Sequence, residues 1–372
     1  MTRLQVGRAV TPSGVIEGAT IEMTDERIVA ITPGELREGL WAVPGFVDTH
    51  CHGAVGVSFG DPDRAANRKA IAYHRSQGTT TLFASTVTEP VDKLESQVRV
   101  LRELVEAGEL DGIHLEGPFL AEERRGAHDP ALLRDPEPEF VERLIAVAGP
   151  ALKMITLAVE RRHAKQATRR FIEAGVKVAF GHSDADDAKT AESLDWGADI
   201  ATHLFSAMRP IHHREPGPVP VLLSDDRVMC ELICDGIHHR PVIARMAIDA
   251  AGVDRIALVT DAMSATGQGD GRYVLGELAV AVHDGTARLI TPDGSTGSIA
   301  GSTLTMAKAF EFVVGEVGLS IPEAARVAAT TPARWHQLAE VGTLEVGKLA
   351  DICLVDDGGR LRHVWRRGRQ LR

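Results

Sequence analysis

Eight short apolar runs, spaced by stretches long enough for a helix, constrain this chain more than any other feature. They are Gly45–His50, Thr79–Ala84, Gly112–Leu115, Met154–Ala158, Val176–Phe180, Ile200–Thr202, Val228–Ile233 and Arg255–Thr260. Between them, Val91, Leu94, Val98, Leu101 and Val105 keep helical spacing, as do Phe140, Val141, Leu144, Ile145 and Ala148. Repeated strand–helix alternation implies parallel strands joined by crossover helices, in a doubly wound sheet or a (β/α)8 barrel. Eight units in about 290 residues favour the barrel, which is typically of that size.

Both ends have a different texture. Leu4–Val6, Gly14–Ile16, Thr20–Met23 and Arg27–Ile31 look like short strands punctuated by Gly and Pro, and the pattern resumes in Gly342–Leu344, Ala350–Val355 and His363–Trp365. The expectation is an α/β chain: a TIM-like barrel over residues 44–339, and a small β-sandwich domain formed by residues 1–43 and 340–372. Gly267–Gly301 interrupts the alternation with Tyr273–Leu275, Leu278–Val282 and Arg288–Ile290, a β excursion after the eighth strand. Its Gly267-Gln268-Gly269-Asp270-Gly271 run lacks dinucleotide-binding spacing and is expected to be a turn.

A formal charge of −11 argues against a nucleic-acid surface, and requires local positive groups for any anionic substrate. No apolar run is long enough for a membrane helix, and no apolar segment follows the basic residues of Met1–Val10. A cytoplasmic location is the expectation. The four cysteines do not have the spacing of a disulfide framework, and Cys230 and Cys234 lie in an apolar run as small buried side chains.

The polar residues at the strand ends carry the chemistry. His50 and His52 end the first strand and, if the strand extends that far, share a face while Cys51 points opposite. Glu116 follows the third strand, His182 the fifth, His203 the sixth and Asp261 the eighth. In a barrel all C-terminal strand ends meet at one mouth, where activity is found. Any one of these residues alone would pass for a cap or a core group. Four histidines and two carboxylates at the correct ends form an N/O ligand set for one or two divalent ions, such as zinc.

Several motifs resemble the amidohydrolase superfamily, and within it the N-acetylglucosamine-6-phosphate deacetylase family. They are Pro44-Gly45-Phe46-Val47-Asp48-Thr49-His50-Cys51-His52-Gly53, His114-Leu115-Glu116-Gly117-Pro118-Phe119, Gly181-His182-Ser183, Thr202-His203-Leu204-Phe205-Ser206-Ala207-Met208, Asp235-Gly236-Ile237-His238 and Val259-Thr260-Asp261-Ala262-Met263. The resemblance extends to Gly347-Lys348-Leu349-Ala350-Asp351, nearly the whole chain.

It implies that Glu116, His182 and His203 hold one metal, and that His50 and His52, with Glu116 bridging, hold a second. Lys153 starts the fourth strand, the wrong end for a bridging lysine. The family's metals also include iron, cobalt, manganese and cadmium. Asp261 is implied as the group that takes a proton from water and returns it to the leaving amine, and as a further metal ligand. His128 is implied to steady the oxyanion. For substrate the resemblance implies Ala127, His128, Ser206, Ala207, Arg214, Asp235, His238, Ile299, Ala300 and Gly301. Arg214 matches the phosphate-binding arginine, a role its fork of donors suits. Ser206 stands where the family has Asn, with a shorter reach. The implied enzyme is a homodimer, with Arg214 and His238 acting across the interface on an N-acetylhexosamine 6-phosphate. Two other readings stand beside it: a cyclic-amide hydrolase or deaminase using the same site, and a non-catalytic metal-binding protein, which Asp261 opposes.

Overall fold

In a computed structural model of the chain, which describes residues 1–35, 39–291 and 293–372, eight parallel strands stand side by side in sequence order. They are Phe46–Asp48, Thr79–Thr86, Gly112–Glu116, Leu152–Leu157, Lys177–Phe180, Ile200–Ala201, Met229–Leu232 and Ile256–Leu258. All eight expected runs are strands, most trimmed at their ends. The register is parallel throughout, for example Ser85 opposite His114 and Glu116 opposite Thr156. The ring closes where the eighth strand meets the first. There Asp261 N–H donates to His50 O at 2.8 Å, Thr260 Oγ1–H donates to Asp48 Oδ2 at 2.6 Å, and Cys51 and Ala262 form a parallel bridge.

The first strand is shorter than its sequence suggests. It ends at Asp48, whose Oδ1 accepts the His50 backbone N–H at 3.3 Å. A short acidic side chain bonding two residues ahead competes with the ladder and turns the chain. The histidine pair therefore lies just beyond the strand rather than in it.

The crossover helices bury the stripe that their spacing demands. Val91–Glu106 buries Leu94, Val98, Leu101 and Leu104, and Pro138–Ala148 buries Phe140, Val141 and Leu144. Each fully buried side chain of this kind contributes about 1.5–3 kcal/mol. Among the described residues no helix is long and apolar enough to cross a membrane.

The ends form two further sheets. Thr2–Gln5, Ala19–Thr24 and Arg27–Pro33 make a three-stranded sheet; Gly14–Glu17, Arg8–Thr11, Trp41–Pro44, Ile352–Val355, Leu361–Arg366 and Arg369–Gln370 make a six-stranded one, in that order. Ile21, Met23 and Ile28 from the first pack with Ala9, Ala42, Ile352 and Leu354 from the second. This is the β-sandwich expected from both termini. Arg8–Thr11 and Trp41–Pro44 were not expected as strands, and Gly342–Leu344 is not one: Gly342 adopts a left-handed φ of 86°, which a strand does not accommodate.

The excursion is a four-stranded antiparallel sheet of Gly271–Leu275, Leu278–His283, Thr286–Ile290 and Thr296–Ile299. Only its fourth strand was not expected. It packs Leu275, Val280, Val282 and Ala287 on Met263 and Ala300. It returns the chain to the barrel mouth, where Ser302 N–H donates to Asp261 O at 2.7 Å.

Candidate metal and catalytic site

The strand ends bring six side chains together. Glu116 is the last residue of its strand, and the other five lie just beyond theirs. Three stand in left-handed backbone, with φ of 48° at His182, 29° at His203 and 49° at Asp261. That region is uncommon for residues with a Cβ and costs of order 1–3 kcal/mol each, strain that tends to gather at functional sites.

Glu116 is the hub. Its Oε1 lies 3.0 Å from both His182 Nε2 and His203 Nε2, and those two nitrogens are 3.0 Å apart. Its Oε2 lies 3.2 Å from His52 Nε2, which is also 3.2 Å from Asp261 Oδ1 and 3.2 Å from His50 Nε2. His50 and His52 thus face the same centre, as their spacing suggested, while Cys51 Sγ points away to His74 Nε2 at 3.2 Å.

These atoms fit a divalent cation. His182 Nδ1 donates to the Arg124 carbonyl oxygen at 2.8 Å, so its neutral ring carries a bare lone pair on Nε2. That lone pair faces another imidazole nitrogen and a carboxylate oxygen. A lone pair facing a carboxylate oxygen is satisfied by a positive charge between them, and the N/O donor set suits zinc or a similar ion. The electrostatics agree. Burial alone would lower His50 and His52, but the surrounding carboxylates Glu116, Asp261 and, for His50, Glu231 outweigh it and raise both. Burial alone would raise Glu116 and Asp261, but the histidines hold Glu116 well below the usual carboxylate range and Asp261 below it.

A cavity of about 360 Å³ opens over the cluster. His52, Glu116, His182, His203 and Asp261 line it, with Ala127, His128, Ser206, Ala207, His238, Ile299 and Gly301 around them. His128 Nδ1 lies 3.2 Å from the Thr88 backbone N–H and 2.9 Å from Thr88 Oγ1, and its Nε2, at the cavity wall, lies 3.5 Å from Glu116 Oε2. His238 is held by Asp235, whose Oδ1 accepts the His238 backbone N–H at 2.8 Å and whose Oδ2 accepts from Nδ1 at 2.7 Å. Burial alone would lower His238, and this carboxylate outweighs it and raises the imidazole.

Other expected residues lie elsewhere. Ala300 is buried behind the wall, and Asp235 reaches the cavity only through His238. Arg214 is exposed on a loop, with Nη1 2.7 Å from His213 Nε2, and does not line the cavity. Among the described residues the arginine that does line it is Arg124, whose Nε donates to Asp184 Oδ1 at 2.7 Å. His239 is a bystander, its ring nitrogens occupied by the carbonyls of Ile233 and Leu204.

Two neighbours of the site were not singled out in the sequence. Glu231 is fully buried beside His50, and Asp48 accepts from Thr260 and His50 at the barrel seam. For Glu231 the signal was available: one carboxylate inside the otherwise apolar run Val228–Cys234.

The amidohydrolase family pattern matches residues 41–371. An N-acetylgalactosamine-6-phosphate deacetylase of Escherichia coli O157:H7 is 33% identical over 98% of this chain and 98% of its own length. An N-acetylglucosamine-6-phosphate deacetylase of Lysinibacillus sphaericus is 33% identical, over 97% of this chain and 95% of its own. Among solved structures, a mutant N-acetyl-D-glucosamine-6-phosphate deacetylase from Mycobacterium smegmatis, in complex with N-acetyl-D-glucosamine-6-phosphate, superposes with a TM-score of 0.94 at 38% identity, covering 100% of this chain and 99% of that one. The chain belongs to the amidohydrolase family, on its N-acetylglucosamine-6-phosphate deacetylase branch.

Proposed function

We propose that this enzyme hydrolyses the acetamide of N-acetyl-D-glucosamine 6-phosphate to D-glucosamine 6-phosphate and acetate, in amino-sugar catabolism and cell-wall recycling. The observation that carries the reading is the Glu116 hub, which faces two histidine pairs and Asp261 at the floor of one cavity. Glu116, His182 and His203 would hold one ion; His50, His52 and Asp261, sharing Glu116, would hold a second. When bound, a divalent ion such as zinc supplies Lewis acidity and brings the pKa of water to about 7.

The chain's own groups do the rest. Asp261 takes the proton of the attacking water. His128 donates from Nε2 to the acetyl oxygen as negative charge builds there. As the C–N bond breaks, Asp261 returns the proton to the amine, serving as base and then acid. His238, its imidazole raised by Asp235 against the effect of burial, hydrogen-bonds the sugar or its phosphate. Ser206, Ala207, Ile299 and Gly301 shape the walls. Arg214 lies outside its own cavity, which supports a homodimer in which it binds phosphate in the partner's site. In this reading residues 44–339 form the catalytic unit, and 1–43 with 340–372 the supporting sandwich of a cytoplasmic enzyme.

The test is an acetate-release assay on the 6-phosphates of N-acetylglucosamine and N-acetylgalactosamine, with metal counted in the same sample. Release from the gluco substrate at least tenfold faster supports the reading. Faster release from the galacto epimer would move the assignment to that sugar. No release from either, with turnover of a cyclic amide or an aminopurine, would overturn it.

A further inference from the structure

We infer that Glu231 is a positioning residue for the metal site, fixing the His50 imidazole in the tautomer that presents Nε2 to the ion. The inference rests on reading the cluster as a metal site. Glu231 sits on the seventh barrel strand, fully buried, and its contacts go to the ligand-bearing strand ends. Oε1 accepts from Thr49 Oγ1–H at 3.1 Å. Oε2 faces His50 Nδ1 at 3.2 Å and accepts the His203 backbone N–H at 3.4 Å.

A carboxylate oxygen only accepts, so the contact to His50 requires a proton on Nδ1. A neutral ring then has none on Nε2, the nitrogen 3.2 Å from His52 Nε2 and 3.5 Å from Glu116 Oε1. Among the described residues no other hydrogen-bond partner faces Nδ1. His114 packs edge-on to His50 with ring centroids 4.5 Å apart, but its own nitrogens are taken by Ser85 Oγ at 2.9 Å and Thr156 Oγ1 at 2.8 Å. Glu231 thus acts on the ligand set through the side chain of His50 and, more weakly, through the backbone of His203. Loss of such an outer carboxylate typically lowers metal affinity 10–100-fold.

The experiment compares zinc binding to the wild type and to Glu231→Gln, by competition with a chromophoric chelator, alongside cobalt absorption spectra. Wild type is expected to bind two ions. In the variant, the affinity of the ion on His50 should fall 10–100-fold, with an altered cobalt spectrum and unchanged melting of the metal-free protein. Unchanged binding of both ions would overturn the role of Glu231 alone. A single ion in the wild type would instead overturn the two-ion reading beneath it. Should the variant not fold, nitrogen-15 imidazole spectra of zinc-loaded wild type decide: a His50 proton on Nδ1 supports the inference, and one on Nε2 overturns it.

Discussion

The backbone N–H of Asp261 donates to the carbonyl oxygen of His50 at 2.8 Å, and its carboxylate Oδ1 stands 3.6 Å from His50 Nε2. The seam that closes the barrel is therefore also where the candidate proton shuttle meets the first histidine. Forming the barrel and assembling this part of the site are one event.

Asp261→Asn keeps the shape and the backbone bond but removes the base. Turnover should fall 10²–10⁴-fold, as is typical for loss of a positioned acid–base group, while substrate still binds. Steady-state kinetics with a direct binding measurement check this; near-normal turnover would remove Asp261 from the proton transfer.

Arg214→Ala should raise KM for the phosphorylated sugar about tenfold or more, equivalent to about 1.4 kcal/mol, and affect the bare sugar much less. Because Arg214 does not line its own cavity, mixing Arg214→Ala with Asp261→Asn protein should restore activity. One subunit then supplies the arginine and the other the intact site. Failure of the mixture to exceed the sum of the two variants would place the phosphate contact within one chain, with Arg124 as the next arginine to replace.

Chelation should abolish activity and added zinc should restore it. His52→Ala is expected to leave the Glu116–His182–His203 position filled and to remove the second ion. The measurement is metal per chain; one ion in fully active wild type would eliminate the second position.

Acid should destabilise the fold through His74. Burial pushes this imidazole down to about 4 from its ordinary value of 6.5, against a smaller opposing effect of the Gly53 carbonyl. Above pH 6.5 both folded and unfolded chains hold it neutral and it contributes nothing. As pH falls below 6.5 the unfolded chain takes up a proton that the folded one resists. Stability should therefore drop by about 3 kcal/mol between pH 6.5 and 4, then level off. Urea midpoints across that range test it in wild type. A His74→Gln variant should be less stable at pH 7 but show a shallower decline, and an equally steep decline would show that other groups dominate.

Much of this was legible because periodicity and punctuation are local. The helical stripe at Leu94, Val98 and Leu101 is buried as its spacing required, and the strand-end positions of Glu116, His182, His203 and Asp261 do converge. What was not legible depended on side chains bonding their own backbone, as Asp48 does where it stops the first strand, or on pairing between distant segments. Arg8–Thr11 was not expected as a strand, and is one because it pairs along its length with Gly14–Glu17 and at Arg8 and Ala9 with the more distant Trp41–Pro44.

By itself, the order of residues determined the eightfold alternation, the sandwich contributed by both ends and the six polar groups at the barrel mouth, since each follows from spacing along the chain. Only the tertiary structure decided how those groups are used. It made Glu116 the shared hub, set Glu231 behind His50, put Thr88 against His128 Nδ1 and placed Arg214 outside the cavity of its own chain. The physical reason is that tautomer, charge and reach depend on what lies within about 3 Å in space, and neighbours such as Glu231 and His50 are 181 residues apart in the chain.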